Sequence, residues 1–181
     1  MKILIASDIH GSAFYTNKLI QCILKEKPDK IVLLGDLLYH GPRNDLPKEY
    51  NPKLVIEQLN KYKDIILAVR GNCDSEVDQM VLEFPMMSDY LELYINNQLY
   101  LFTHGHLFEK NILPSFNRGS IVISGHTHIS QNKLINGVYY LNPGSISIPK
   151  NNTENSYMII NNNILYWKNL DGIIFDELKI M

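Results

Sequence analysis

The chain has 181 residues, a formal net charge of −2 at pH 7 and 45% hydrophobic residues. This length favours one domain, taken as residues 1–181, and it is sufficient to bury a hydrophobic core without disulfide bonds. No apolar run approaches the roughly 18 residues of a membrane-spanning helix, which argues against an integral membrane protein. The near-neutral charge balance lacks the basic excess that is typical of proteins that coat nucleic acid.

Cysteine content and the first residues bear on the cellular compartment. Cys22 and Cys73 are the only cysteines, and two cysteines without a framework pattern are typical of a reducing environment. Cys22 lies in a helical pattern, where a small buried hydrophobic side chain is expected. The apolar run of residues 2–6 is interrupted by Asp8 and His10 and has no signal-peptide pattern. We therefore expect a cytoplasmic location.

The first half of the chain alternates strand and helix patterns. Apolar strands are predicted at residues 2–6, 30–34 and 65–69, amphipathic helices at 13–26 and from Pro52 to about Tyr62, and a short capped helix from Ser75 to Leu82. A strand–helix–strand unit of this spacing is right-handed, with parallel neighbouring strands. Asp8 and Asp36 follow the first two strands, so both are expected at the sheet edge where open α/β sheets carry their sites.

From about residue 90 the pattern changes to strands. Hairpins are predicted around Asn96-Asn97 and Asn136-Gly137, a further strand at residues 121–123, and a last pair at 157–160 and 164–167. The tail after Leu170 indicates no more than a strand or a loose end. A βαβαβ half followed by a strand-rich half predicts two sheets packed face to face, with helices outside.

Potential metal ligands recur at the ends of five predicted strands, and all six histidines lie in loops or at strand ends, His40 among them. Oxygen and imidazole donors without a thiolate disfavour a structural zinc site and suit an open site for Mn²⁺, Fe²⁺, Co²⁺ or Zn²⁺. Seven candidate ligands are too many for one ion with an open position, which favours a pair of ions. The candidates are Asp8, His10, Asp36, Asn72, His104, His126 and His128.

These motifs carry a resemblance to a known family. In chain order D-x-H, G-D, G-N-x-D, H-G-H and G-H-T-H resemble the signature of the calcineurin-like metallophosphoesterases. The similarity runs from Lys2 to about Ser156. Loop stretches at residues 41–44, 70–80, 103–108 and 142–150 resemble the YfcE-type branch of small bacterial phosphodiesterases within that family.

The resemblance implies an α/β fold, a four-layer α/β/β/α sandwich of two mixed sheets flanked by helices, and a metal-dependent phosphodiesterase. It implies two divalent metal ions, most often Mn²⁺, with Zn²⁺, Fe²⁺, Co²⁺ or Ni²⁺ as alternatives. A hydroxide held by both ions would attack phosphorus in line with the leaving oxygen. One ion would be held by Asp8, His10 and His128, the other by Asn72, His104 and His126, with Asp36 bridging the two.

The resemblance also identifies Asp36, Asn72 and Cys73 as catalytic residues. Many family members carry histidine at the position of Cys73, and a thiol has no positive charge and donates a hydrogen bond weakly. We therefore expect a preference for diesters with good leaving groups. For Cys73 itself, a place in the pocket wall is favoured over a nucleophile.

Three further polar residues are assigned roles. Arg43, in the long loop of residues 37–51, is expected to bind substrate by forking onto a phosphate oxygen. His106 is the second predicted substrate-binding residue, close to the metal ions. Asp74 is expected to orient an imidazole ligand.

Alternative functions stay open at this point. A related retromer subunit keeps the family fold as a non-catalytic protein-interaction scaffold, whereas here all seven ligand positions are intact. A nuclease is disfavoured because the sequence has no basic stripe, and a cyclic-nucleotide phosphodiesterase is left open. The expected partner is a small-molecule phosphodiester, with neither membrane nor nucleic acid, and a homo-oligomer is left open.

Overall fold

The computed structural model describes residues 1–107 and 116–180. Phe108, at the end of one of the family-like stretches, therefore lies outside the described residues. Within the described ranges no helix is of a length and apolarity that would cross a bilayer. The elements are β1 (Lys2–Ala6), α1 (Ala13–Glu26), β2 (Lys30–Leu33), α2 (Pro52–Asn60), β3 (Ile66–Ala68), α3 (Glu76–Val81), β4 (Tyr90–Ile95), β5 (Gln98–Thr103), β6 (Ile121–Ser124), β7 (Ser130–Ile135), β8 (Val138–Pro143), β9 (Ser156–Asn161), β10 (Ile164–Asn169) and β11 (Ile174–Lys179).

The strands form two mixed sheets, ordered β11-β10-β9-β1-β2-β3 and β4-β5-β6-β8-β7. In the first sheet β1, β2 and β3 are parallel, with Ala6 opposite Leu33 and Leu33 opposite Ala68, as the βαβαβ pattern predicts. In the second sheet β5, β6 and β8 are parallel, and β4 and β7 form antiparallel hairpins at the two edges.

Alternation along β1 explains how the layers pack. Leu4 and Ala6 point into a core that includes Leu19 and Ile23 of α1, whereas Ile3 and Ile5 point into a core shared with the second sheet. These four side chains are fully buried, as expected for a strand covered on both faces. The prediction of an α/β fold with two mixed sheets flanked by helices is thus confirmed.

The end of α2 and the C-terminal tail call for comment against the sequence prediction. Helix α2 ends at Asn60, because the amide N–H of Tyr62 bonds the carbonyl of Leu59 in a tight turn. The tail, for which the sequence left a strand or a loose end open, contains β11, an edge strand that pairs antiparallel with β10. No β11 side chain is fully buried, so its sequence lacks the apolar alternation that marks a strand.

Glu26, at the end of α1, forms a nearly buried ion-pair cluster that joins α1 to the first sheet. Its carboxylate lies 2.6 Å from the ammonium groups of both Lys2 and Lys168, and the Tyr157 hydroxyl donates to it at 3.3 Å. Burial favours the neutral acid, but the bonds from Lys168 and Lys2 outweigh it and lower the Glu26 pKa below its ordinary value.

We expect Glu26→Gln to lower the free energy of unfolding by about 2 kcal/mol at pH 7, because it leaves two lysines without their counter-charge. Because the folded-state pKa is lowered, this contribution is present above the ordinary glutamate pKa of about 4.3 and is lost as pH falls through the folded value. Urea unfolding at several pH values checks this, with exposed Glu57→Gln as the control. A difference that persists unchanged well below pH 4 would contradict the electrostatic origin.

Candidate metal centre

The centre is built where parallel strands β1 and β2 end side by side. The amide N–H of Asp8 bonds the carbonyl of Gly35 at 3.2 Å, and that of His10 bonds the carbonyl of Asp36 at 2.9 Å. The two loops therefore remain paired beyond the strands, and both carboxylates are carried to one edge, as the sequence predicts.

The backbone at this edge is unusual. Five of the seven predicted ligands have positive φ: 57° at Asp8, 49° at His10, 54° at Asp36, 66° at His126 and 61° at His128. Non-glycine residues adopt this region at a cost of order 1–3 kcal/mol each and do so mainly at functional sites. The strain aims side chains from separate loops at one point.

Two glycines allow the loops to approach closely. A Cβ atom at Gly71 would lie 2.1 Å from Asp36 Oδ1, and one at Gly125 would lie 1.9 Å from Ser7 Oγ. Both distances are far below van der Waals contact, so any larger residue would push these loops away from the carboxylates.

The first group of converging atoms comes from Asp8, His10 and His128. The Nδ1 atoms of His10 and His128 lie 2.8 Å from the carbonyls of Tyr39 and Ile148, so each Nδ1 carries a proton that it donates. The two Nε2 atoms then face each other at 3.2 Å, with lone pairs opposed when both rings are neutral. Asp8 Oδ1, 3.4 Å from His128 Nε2, is buried and accepts no hydrogen bond from the described residues.

The second group comes from Asp36, Asn72 and His104. His104 Nδ1 lies 2.6 Å from the Leu34 carbonyl, so its Nε2 faces inward, 3.0 Å from Asn72 Oδ1 and 3.5 Å from Asp36 Oδ2. Asp36 Oδ2 also lies 3.6 Å from His10 Nε2, which puts this carboxylate between the two groups.

His126 joins the same cluster through backbone and ring. Its amide N–H donates to Asp8 Oδ2 at 3.0 Å, and its ring centroid lies 5.0 Å from that of His104. All seven predicted ligands are therefore brought together at one edge of the first sheet.

The electrostatics of the cluster indicate that it needs cations. Burial raises the pKa of Asp8 and Asp36, but the neighbouring imidazoles outweigh it and hold both carboxyl pKa values below the ordinary value. For His104 burial would lower the pKa, but the Asp36 hydrogen bond and the Asp8 and Asp36 charges raise it to about 9. Two buried carboxylates and opposed nitrogen lone pairs thus fit divalent cations better than a cluster without them.

Cys73 lies at the edge of the cluster. Its amide N–H donates to Asp36 Oδ1 at 2.8 Å, and Asn72 Nδ2 lies 3.3 Å from its sulfur. Burial and the Asp36 carboxylate raise the pKa of the Cys73 thiol well above its ordinary value. The sulfur therefore stands beside the centre as a neutral, weak donor.

Asp74 corrects one prediction, because its described hydrogen bonds go to the backbone and not to an imidazole. Its carboxylate accepts from the amides of Asp36 at 2.8 Å, Leu37 at 2.9 Å and Gly71 at 2.7 Å. Burial outweighs these bonds and raises the Asp74 pKa to about 6. Asp74 thus holds the loop that carries Asp36.

An open pocket of about 690 Å³ lies above the cluster and is lined by Asp36, Asn72, His126 and His128. Arg43, for which the sequence analysis predicts substrate binding, lines it too. His106 does not line this pocket; its ring lies 5.3 Å from that of His104. Lys150 also lines the pocket and was missed, because no ligand motif includes it.

His40 lies outside the cluster of ligands. Its ring packs edge-on against Tyr39 and Tyr50, with centroids 4.7 and 5.2 Å apart. These contacts give His40 a packing role beneath the pocket wall.

Two curated proteins are similar to this chain in sequence. Phosphodiesterase YfcE of Escherichia coli K12 is 42% identical over 165 residues, which are 91% of this chain and 90% of YfcE. The probable metallophosphoesterase YsnB of Bacillus subtilis is 28% identical over 167 residues, 88% of this chain and 83% of YsnB.

Solved structures show the same fold. That of the E. coli phosphoesterase YfcE superposes with a TM-score of 0.95 at 41% identity, covering 100% of both chains. Vps29 of Entamoeba histolytica, solved with Zn²⁺, has a TM-score of 0.62 at 21% identity and covers 100% of both chains, a likeness of fold alone. The family model for the calcineurin-like phosphoesterase superfamily domain matches residues 1–163. The chain therefore belongs to the calcineurin-like phosphoesterase superfamily and is a homologue of the phosphodiesterase YfcE.

Proposed function

We propose that this protein is a metal-dependent phosphodiesterase that acts on a small-molecule phosphodiester in the pocket above Asp36. The observation that carries the proposal is the convergence of two groups of oxygen and nitrogen acceptors, most of them buried, on either side of the Asp36 carboxylate. The 42% identity to YfcE supports a diester as the substrate class.

Two divalent ions are the expected cofactors. Asp8, His10 and His128 would hold one ion, and Asn72, His104 and His126 the other, with Asp36 shared between them. Bound divalent ions supply a water that is activated at neutral pH and neutralise charge on the phosphoryl oxygens. The oxygen and imidazole donors suit Mn²⁺, our first candidate, and also Zn²⁺, Fe²⁺, Co²⁺ and Ni²⁺.

The chain's own residues orient the centre and the substrate. Backbone carbonyls fix the tautomer of His10, His104 and His128, so that each ring, when neutral, presents an unprotonated Nε2. In this proposal Arg43 donates hydrogen bonds to a non-bridging phosphate oxygen. When the bond from phosphorus to the leaving oxygen breaks, Cys73 offers only a weak donor, so activated diesters such as aryl esters react best.

The alternatives are less favoured. A non-catalytic scaffold would not require seven ligands to converge under backbone strain. A nuclease would need a basic track, whereas the basic side chains that line the described pocket are Arg43 and Lys150. A cyclic-nucleotide substrate stays a secondary candidate within the same diester class. The two free cysteines, Cys22 and Cys73, support a cytoplasmic location as part of the proposal.

Removal of metal is expected to abolish hydrolysis of bis(4-nitrophenyl) phosphate, and Mn²⁺ is expected to restore it. Asp36→Asn should lower kcat at least about 100-fold with the fold retained, because it removes the charge shared by both ions. Nitrophenolate release and circular dichroism measure the two effects. Asp64→Asn, an exposed change that precedes β3 on the far side of the sheet, is the matched control. Undiminished hydrolysis by the metal-stripped protein would contradict the mechanism.

The place of Cys73 in the pocket wall predicts that Cys73→Ser keeps kcat for the same aryl diester within about fivefold. Serine is close to cysteine in size and keeps the hydrogen bond from its backbone N–H to Asp36. Its hydroxyl is a far weaker nucleophile than a thiolate. Steady-state kinetics check the rate, and mass spectrometry of the quenched reaction checks for a phosphoryl adduct. A loss above about 100-fold together with an adduct on the wild-type protein would instead make Cys73 the nucleophile.

Asp74→Asn is expected to weaken Mn²⁺ binding by about tenfold and to lower the free energy of unfolding by about 2 kcal/mol. The amide nitrogen of asparagine would face one of the three backbone donors that the carboxylate now accepts. Calorimetric titration with Mn²⁺ and urea unfolding measure the two effects. Asp78→Asn, which weakens only the start of α3, is the control and should lose stability without losing Mn²⁺ affinity. Equal Mn²⁺ affinity in both variants would show that Asp74 does not position the Asp36 loop.

A further inference from the structure

The pocket is lined by two positive side chains, Arg43 and Lys150, and the proposed reaction assigns only Arg43 to the diester phosphate. We propose that Lys150 binds a second anionic group of the substrate, so that the preferred substrates are phosphodiesters whose non-leaving arm carries a further carboxylate or phosphate. This inference rests on the proposed phosphodiesterase function and names the substrate class within it.

Lys150 is held in place by the centre. Its amide N–H donates to the carbonyl of His128 at 3.0 Å, and the carbonyl of Ile148, two residues earlier, accepts from His128 Nδ1 at 2.8 Å. On its other side the Lys150 carbonyl accepts from the amide of Thr153 at 3.1 Å and from its hydroxyl at 2.8 Å. The base of the Lys150 side chain is therefore fixed relative to a candidate ligand.

Arg43 reaches the same pocket from another loop that is also anchored. Asn44 closes a turn onto the carbonyl of Gly41 at 3.3 Å, and its side chain donates to the carbonyl of His40 at 2.8 Å. Gly41 packs against Cys73, since a Cβ there would lie 3.0 Å from the sulfur. Both cationic side chains are thus carried by loops tied to the floor of the pocket.

Neither cation has an acidic partner within residues 1–107 and 116–180. Asp74, the remaining carboxylate in the pocket lining, is engaged by three backbone N–H groups. The positive charges of Arg43 and Lys150 therefore remain available to a ligand.

Charge and size then indicate what the ligand carries. Two divalent ions would already exceed the charge of Asp8 and Asp36, so the centre and Arg43 together compensate the single negative charge of a diester. The positive charge of Lys150 then has no counterpart on the diester group itself. The volume of about 690 Å³ also exceeds what a single phosphate fills. A substrate arm with its own anionic group satisfies both conditions.

The test compares two diesters with the same leaving group, methyl 4-nitrophenyl phosphate and 2-carboxyethyl 4-nitrophenyl phosphate. For the Mn²⁺-loaded protein we expect a five- to tenfold lower KM for the carboxyethyl ester and a similar kcat, because the bond that breaks is the same. In Lys150→Met the KM ratio should fall towards one, and in Lys150→Glu it should invert. Lys61→Met, an exposed lysine at the end of α2, is the control and should keep the wild-type ratio.

A binding measurement separates recognition from catalysis. Calorimetric titration uses the non-hydrolysable pair methyl methylphosphonate and 2-carboxyethyl methylphosphonate. The carboxyethyl compound should bind five- to tenfold more tightly at low salt, and the advantage should shrink as ionic strength rises. The same advantage should disappear in Lys150→Met.

Failure of the inference and failure of the proposed function give different results. If both aryl diesters are hydrolysed with equal KM, or if the preference survives in a Lys150→Met, Arg43→Met double variant, the second anion subsite is overturned and the phosphodiesterase stands. If neither ester is hydrolysed, the proposed function falls, and the phosphonate titration alone decides the anion subsite.

Discussion

One electrostatic constraint determines the structure around the candidate metal centre. Two carboxylates are buried there among imidazole nitrogens that point their lone pairs at one another. Asp8 and Asp36 are almost fully buried, and His10 Nε2 lies 3.2 Å from His128 Nε2. An uncompensated charge in such a place costs several kcal/mol, whereas divalent cations bound among the same atoms turn each repulsion into an attraction. The arrangement is therefore stable as a cation site. We see no other physical reason for the surrounding loops to hold these atoms so close together.

The sandwich supplies the rigidity that this arrangement needs. Positive φ angles at Asp8, His10 and Asp36 are tolerable because β1 and β2, directly before them, are buried on both faces. Beyond the strands, the amide N–H of His10 donates to the Asp36 carbonyl, and the amide N–H of Asp36 donates to the Asp74 carboxylate. These hydrogen bonds continue the pairing into the loops. Strain at the sheet edge is thus balanced by packing in the strands and by backbone hydrogen bonds around the ligands.

From the sequence, the residues at the sheet edge can be predicted better than the residues that hold them in place. Asp8 and Asp36 follow apolar strands, and the parallel rule alone brings them together, whereas the convergence of the histidines was expected from the motifs and the family resemblance. The backbone role of Asp74 could not be predicted, because amide partners leave no mark in the sequence. Strand β11 could not be distinguished from a loose end because its side chains remain largely exposed on an edge. Lys150 was missed because only folding brings residue 150 back to His128.

The candidate metal ligands and the two cationic pocket residues are held in place in different ways. The candidate ligands depend on strained backbone and on glycines such as Gly71, where a Cβ would collide with Asp36. Arg43 and Lys150, in contrast, are exposed side chains. Backbone hydrogen bonds hold the loops that carry them. Replacing either side chain leaves those backbone bonds in place, so the charge presented to a substrate arm can change while the ion-binding geometry is kept.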